Sequence, residues 1–369
     1  MSQTCSSSDQ HTYRRPAENG QQQFVILAWP GESMEYYEQF EGSRAAVKDT
    51  ISAIADAAAR FVRVKLLVEE KDLAAARQRF AASNAKNAHH VDVCTVSTGC
   101  PDVWMRDMAP TFTVSDDGTL CGVDWHFNGW GGQKTSEACL QLARSLLADF
   151  AIPRIAGSIV TEGGALEVDG EGTLIASESS LINDNRNPGK TKDQVEAELS
   201  RTLGIRKFIW VPGRKDLDST DFHIDAVARF VRPGVVLCSR PRDKPTGEDE
   251  EEGEWIAAHA EVRQILAAAT DARGRPLEVL EVLEPRIGKE CWLPNPPPGA
   301  RAVFSYANYL LVGGGGVILS QFGDGEADAA ALATVRAAFP EREVVPVYAR
   351  SLGLFGGGIH CASQEVPHV

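Results

Sequence analysis

Five short apolar runs constrain this chain more than any other feature. They are Phe24–Trp29, Gly118–Asp124, Gly172–Glu178, Gly234–Ser239 and Gly316–Gln321. Each is roughly five or six residues of aliphatic or β-branched side chains, and four are led by glycine, which is the pattern of strands buried on both faces. Helix-like segments follow them at Gly42–Arg60, Ser136–Phe150, Thr191–Leu203, Trp255–Ala269 and Ala327–Phe339. Thr191 with Gln194 three residues on has the form of a capping box. Strands alternating with helices predict an α/β protein. The spacing is uneven and too long for common solenoid repeats. Five αβ modules about one axis would account for it, although any α/β enzyme alternates in this way.

The balance of charge narrows the partners. Asp plus Glu number 51 against 37 Lys plus Arg, a net charge of −14. A binder of nucleic acid or of anionic membrane needs a basic surface, so neither is expected. A cationic small molecule fits the sign. No apolar run approaches the length of a membrane span, and the polar start Met1–Gln10 has no secretory pattern. The eight cysteines are scattered with no Cys-x-x-Cys pair, so neither a zinc site nor a disulfide framework is signalled. They read as reduced thiols of a cytoplasmic protein, most of them inert and one a candidate nucleophile. Residues 1–12 are expected to be disordered and 13–369 to form a single catalytic domain. An exposed acidic loop is expected near 240–254 and a proline-stiffened loop at Asn295–Gly299.

The sharpest chemical signal lies near the C-terminus, in Leu354–Gln364. Three glycines, Gly356, Gly357 and Gly358, let backbone pass close to a ligand, and His360–Cys361 follows. A thiol there could attack a substrate, provided that its surroundings favour the thiolate. Neighbouring residues of an extended segment face opposite ways, so the base for Cys361 is expected from elsewhere than His360. His223 and Asp225, one residue apart, would share a face if extended. Imidazole is the usual proton carrier near neutral pH, and the carboxylate could orient it or bind a cation. Trp104 and Asp107 lie in a turn-rich stretch, Glu162 precedes Gly163–Gly164, and two tryptophans and a Gly-Gly lie in Val123–Gly132. No phosphate loop, dinucleotide fingerprint or nucleophile elbow is present. One thiol, one imidazole and several carboxylates suit a guanidinium, whose planar cation accepts bidentate pairing to acids while a thiolate attacks its carbon.

The chain resembles the agmatine deiminases and the Porphyromonas-type peptidyl-arginine deiminases of the guanidine-modifying superfamily. The resemblance is carried by Tyr13–Glu18, Trp29–Pro30, Pro101–Asp107, Gly122–Trp125, Phe127–Asn128, Trp130–Gly132, Glu162–Gly164 and Val168–Gly172. It continues through Asn185–Pro188, His223–Asp225, Phe230–Val235, Gln321–Asp324 and Gly356–Cys361, in family order over nearly the whole chain. It implies five pseudo-symmetric ββαβ modules around a central channel. It also implies that Cys361 is the nucleophile and that His223 protonates departing ammonia and later activates water. Asp107 and Asp225 would grip the guanidinium, and Glu162 would hold substrate and imidazole. Trp104, Gly357 and Gly358 would line the substrate site. The implied reaction converts agmatine to N-carbamoylputrescine and ammonia through a covalent thiouronium, with no metal and no organic cofactor, in an enzyme that can be a homodimer.

Several neighbours depart from the family pattern. Phe222 stands where glycine is usual, Ala226 where asparagine follows the His-x-Asp, and Glu167 where a histidine is common. Gly358 replaces an asparagine and Asn19 a tryptophan. Phe222 is expected to narrow or reshape the pocket. Two alternatives keep the same site: deimination of free or peptidyl arginine, and a diverged guanidine-binding protein without catalysis.

Overall fold

Each of the five apolar runs becomes the middle of a sheet in the computed structural model, which describes residues 11–32, 34–99, 101–133, 135–242, 250–288, 293 and 301–369. The chain opens with β1 Tyr13–Arg14, β2 Gln22–Ala28, β3 Arg63–Leu67 and β4 Val91–Cys94. Next come β5 Thr111–Ser115, β6 Leu120–Asp124 and β7 Arg154–Ala156, then β8 Glu167–Val168, β9 Thr173–Ser177 and β10 Lys207–Val211. Then follow β11 Ala228–Arg232, β12 Val235–Arg240, β13 Glu278–Leu283, β14 Leu310–Val312, β15 Gly316–Gln321, β16 Glu343–Tyr348 and β17 Gln364–Pro367.

The five sheets share one connectivity. Strands β6, β9, β12 and β15 each pair antiparallel with the strand before them and parallel with the strand after. Strand β2 pairs parallel with β3, but its antiparallel partner is β17 at the other end of the chain. The N- and C-terminal segments thus complete the fifth module together. Gly118, Gly172 and Gly234, which lead three of the runs, and Gly315, directly ahead of the run at Gly316–Gln321, take positive φ in the four hairpin turns, where a side chain would be strained. No hairpin precedes β2. Outer strands β1 and β4 extend two of the sheets.

A helix covers each parallel crossover. The helices are Ser43–Ala58, the pair Glu137–Leu140 and Leu142–Asp149, Lys192–Leu203, Glu250–Ala268 and Gly325–Ala338. The stretch expected as one helix at Ser136–Phe150 is two, parted at Gln141. The capping box is formed: Thr191 accepts from the Gln194 N–H, and the Gln194 side chain accepts from the Thr191 N–H. Helix Leu73–Asn84 was not anticipated, because it buries only Ala76 and Phe80 and shows no apolar stripe. The helices press apolar faces onto the sheets. Val195, Leu199 and Leu203 pack with Leu174 of β9, and Ala331 and Val335 pack with Val317 and Leu319 of β15.

The centre of the molecule is polar. Buried Arg229 at the start of the β11 hairpin pairs with Glu18 and, at 2.7 Å, with Glu167 of β8. It also donates to the Tyr309 carbonyl, just ahead of β14, at 2.8 Å. Buried Arg106, ahead of β5, pairs with Glu18 at 3.1 Å and with Glu365 of β17 at 2.7 Å. All five modules therefore meet in one charged cluster. Of the stretch expected to be disordered, residues 1–10 lie outside the described residues. His11 and Thr12 are tied to Asp116. Residues 243–249 of the acidic loop and the Asn295–Gly299 loop also lie outside them. No helix among the described residues is long and apolar enough to cross a membrane.

Candidate active site

The chemistry-bearing residues share one structural address, the few residues that lead into the strand pairing antiparallel with the middle strand of each module. Asp107 sits in the one-turn helix Met105–Met108 before β5, and Glu162 caps the turn Gly163–Ala165 before β8. His223 caps the single 3-10 turn Ile224–Ala226 before β11, and Asp225 lies inside it. Asn308 precedes β14, and His360–Cys361 form a turn before β17. Because the modules repeat, these addresses converge. The His223–Asp225 segment is a 3-10 turn, not the extended segment expected, yet both side chains line the same cavity.

That cavity has a volume of about 500 Å³ and is lined by Trp104, Asp107, Trp130, His223, Asp225 and Cys361 among others. Cys361 Sγ lies 3.4 Å from Asp225 Oδ2 and 3.2 Å from Asn308 Nδ2. His223 Nε2 is 3.3 Å from Glu162 Oε2, and its Nδ1 is 3.7 Å from Asp107 Oδ1. Asp107 is fixed by Trp130 Nε1 at 2.9 Å and by the Gly164 N–H at 3.0 Å. Asp225 Oδ2 accepts from His360 Nδ1 at 2.7 Å, and His360 Nε2 lies 2.9 Å from Glu18. Its other oxygen, Oδ1, is buried and has no hydrogen-bond partner among the described residues. A buried carboxylate oxygen without a donor costs free energy unless a ligand supplies one.

The electrostatics follow from three crowded acids. Burial alone would lower the His223 imidazole, but Asp107, Glu162 and Asp225 more than offset this and raise it to about 9. His223 is therefore an imidazolium at neutral pH. Burial, Asp225 and Asp107 push the Cys361 thiol well above its ordinary value, against the Gly358 N–H and the Asn308 amide. Glu162 is held below the usual carboxylate range: burial would raise it, but Arg186 dominates. Arg186 Nε bonds both Glu162 oxygens at 2.9 and 3.0 Å, and its Nη1 bonds Asp221 at 2.6 Å.

Of the residues singled out in the sequence, Trp104, Asp107, His223, Asp225, Gly357 and Cys361 line the cavity. Glu162 and Gly358 are not among its lining residues. Glu162 is fully buried between Arg186 and His223, within reach of the imidazole. Gly358 faces Asn308, whose Oδ1 would lie 2.4 Å from any Cβ placed there. Phe222 does not reshape the pocket. It is fully buried and turns away, packing edge-on against Trp255 and His259. It takes φ of +78°, a conformation that glycine adopts without strain. Glu167, in place of a histidine, serves the central cluster through Arg229. Trp130, Arg186 and Asn308 had been given no role. Trp130 and Arg186 lay within segments already singled out, and Asn308 could have been found by laying the fourth module on the others.

A thiol, an imidazolium and two carboxylates thus meet around one cavity. The family model for Porphyromonas-type peptidyl-arginine deiminase matches residues 14–367. The chain is 35% identical over 384 residues to agmatine deiminase of Stutzerimonas stutzeri, covering 100% of this chain and 99% of the other. It is 33% identical over 385 residues to agmatine deiminase of Medicago truncatula, covering 97% of each. A solved structure of agmatine deiminase of Enterococcus faecalis superposes with a TM-score of 0.80 at 27% identity, covering 96% of both chains. The chain belongs to the Porphyromonas-type peptidyl-arginine deiminase family.

Proposed function

We propose that this enzyme hydrolyses agmatine to N-carbamoylputrescine and ammonia. The observation that carries the reading is the meeting of Cys361, His223, Asp107 and Asp225 on one cavity. Asp107 and the unpartnered Oδ1 of Asp225 would bind the guanidinium nitrogens. The bound cation would neutralise the two carboxylates that hold the thiol protonated, so that Sγ can release its proton to solvent and attack the guanidinium carbon. His223, protonated, would give its proton to the departing ammonia. The resulting thiouronium would be attacked by water that passes one proton to His223; the C–S bond would then break, the departing sulfur taking water's second proton and returning to the thiol. Glu162, clamped by Arg186, keeps the imidazole in place and charged. No metal or organic cofactor enters these steps.

The choice of agmatine over arginine is supported by charge. Glu35, Asp102 and Asp218 line the cavity in addition to the two binding acids, and no Lys or Arg does so among the described residues. A primary ammonium finds partners there, whereas an α-carboxylate would meet acids. The same proposal places the enzyme in a reducing cytoplasm, in keeping with free Cys94, Cys121, Cys139, Cys238 and Cys361. It treats residues 13–369 as one catalytic domain, acting on a small molecule and on neither nucleic acid nor membrane. A homodimer, which the family resemblance implies, is checked by sedimentation. The test of function is ammonia release from agmatine and, separately, from arginine, with Cys361→Ser as control. Agmatine turnover abolished by the substitution supports the reading, and turnover of arginine alone, or of neither, overturns it.

A further inference from the structure

We propose that Asn308 is a catalytic residue of this site, its side-chain N–H donating to Cys361 Sγ and stabilising the thiolate that attacks the guanidinium carbon and later departs from it. The inference rests on the thiol chemistry proposed above and adds a residue to it. Among the segments leading into the strands that pair antiparallel with the five middle strands, those bearing Asp107, Glu162, His223 with Asp225, and Cys361 carry the chemistry proposed above. The fourth module contributes Asn308 at the equivalent place, two residues before β14.

Asn308 is almost completely buried, and its amide is oriented without ambiguity. Oδ1 accepts from the backbone N–H of His360 at 3.0 Å and of Cys361 at 3.2 Å. Turning the amide over would set its NH2 group against two N–H donors. Nδ2 must therefore face the other way, where it lies 3.2 Å from Cys361 Sγ and 3.2 Å from the Asp225 carbonyl. Both of its hydrogens have acceptors. The close approach depends on Gly358, since a Cβ there would collide with Oδ1 at 2.4 Å. The sulfur thus has the Asn308 N–H as its donor and the Asp225 carboxylate as its other polar neighbour. Once a guanidinium occupies the carboxylates, this donor is what remains to stabilise charge on sulfur, in the manner of an oxyanion hole.

The rival role is a brace that only holds the turn through Oδ1. Asn308→Asp separates the two, because it keeps the shape and the acceptor but exchanges the donor for a carboxylate oxygen. Asn308→Ala removes both functions, and Asn308→Ser serves if either of these fails to fold. The readout is the rate of iodoacetamide alkylation of Cys361 in the full-length protein without substrate, followed by peptide mass spectrometry across pH, with kcat and KM for agmatine alongside. The alkylation rate near neutral pH reports the thiolate fraction. A charge-assisted hydrogen bond predicts a fall of roughly tenfold to a hundredfold in both Asp and Ala variants. The pH profile should move to the alkaline side, and kcat should fall while KM changes little. Alkylation of Asn308→Asp at the wild-type rate would reduce Asn308 to a brace and overturn the proposal. So would an unchanged profile in Asn308→Ala. If the wild type turned over no agmatine, the functional reading would fail, yet the alkylation profiles would still decide the role of Asn308.

Discussion

Replacing Glu162 by Gln removes one charge from beside His223 while keeping size and a hydrogen-bond acceptor. The imidazole is raised from 6.5 to about 9 despite the opposing effect of burial, which amounts to roughly 3 kcal/mol in favour of the protonated ring. Glu162 Oε2 lies 3.3 Å from Nε2 and Asp107 Oδ1 lies 3.7 Å from Nδ1. At an effective dielectric near 20, a full charge at the shorter distance would contribute about 5 kcal/mol. The Glu162 charge is shared with Arg186, bonded at 2.9 Å, so only part of this reaches the ring. Glu162→Gln should therefore lower the imidazole by about one or two pH units, leaving it between roughly 7 and 8. The protonated ring is the form that can give a proton to departing ammonia, so activity should disappear at lower pH on the alkaline side. The assay is kcat for agmatine measured across pH, with circular dichroism to confirm folding. An alkaline limb that stays near its wild-type position while kcat drops would refute the assignment of His223 as the acid.

Other outcomes follow from the same geometry. Gly164→Ala would place a Cβ 2.6 Å from His223 Nδ1 and 2.9 Å from Asp107 Oδ1. It should cost about a hundredfold or more in kcat through displacement of those groups, with a melting temperature close to wild type as the check. Arg229→Ala would leave buried Glu167 without its guanidinium and take from Glu18 one of the arginines it pairs with, and urea unfolding should show a loss of about 3–5 kcal/mol. Glu284 is raised from 4.5 to about 7, by burial against the opposing bonds from Ser239 and Trp255. A carboxyl raised in this way contributes stability below its unfolded value that is lost as pH rises through the folded one. Wild type should therefore lose on the order of 3 kcal/mol between those limits. Glu284→Gln should lack this loss and melt higher than wild type at alkaline pH.

The five-module architecture was legible because its middle strands are buried on both faces and so read as unbroken apolar runs. The returning strands were not. Strand β13, for instance, buries only Val282 fully along Glu278–Leu283, and alternation with charge blurs its signal. Chemistry was legible where a reactive residue sits beside glycine, as at Cys361 and Glu162. Asn308 carries no such marker, since asparagine is common in turns and its role appears only when β14 and β17 bring it to the sulfur. Phe222 misled for the opposite reason. Its place next to His223 suggested a wall of the pocket, but its positive φ turns the ring into the core beneath Trp255. Glu162 and His223 lie 3.3 Å apart, yet the clamp on Glu162, Arg186, follows β9 within the same module as Glu162, and nothing in its spacing marks it.

The central claim is that Cys361 attacks the guanidinium carbon of agmatine and that ammonia leaves before water enters. Acid quenching of the enzyme during turnover, followed by mass spectrometry, tests this directly. The account predicts a mass gain equal to agmatine less one ammonia, mapped to the peptide bearing Cys361 and absent from Cys361→Ser. Ammonia release with no adduct at any quench time, together with continued turnover by Cys361→Ser, would contradict it.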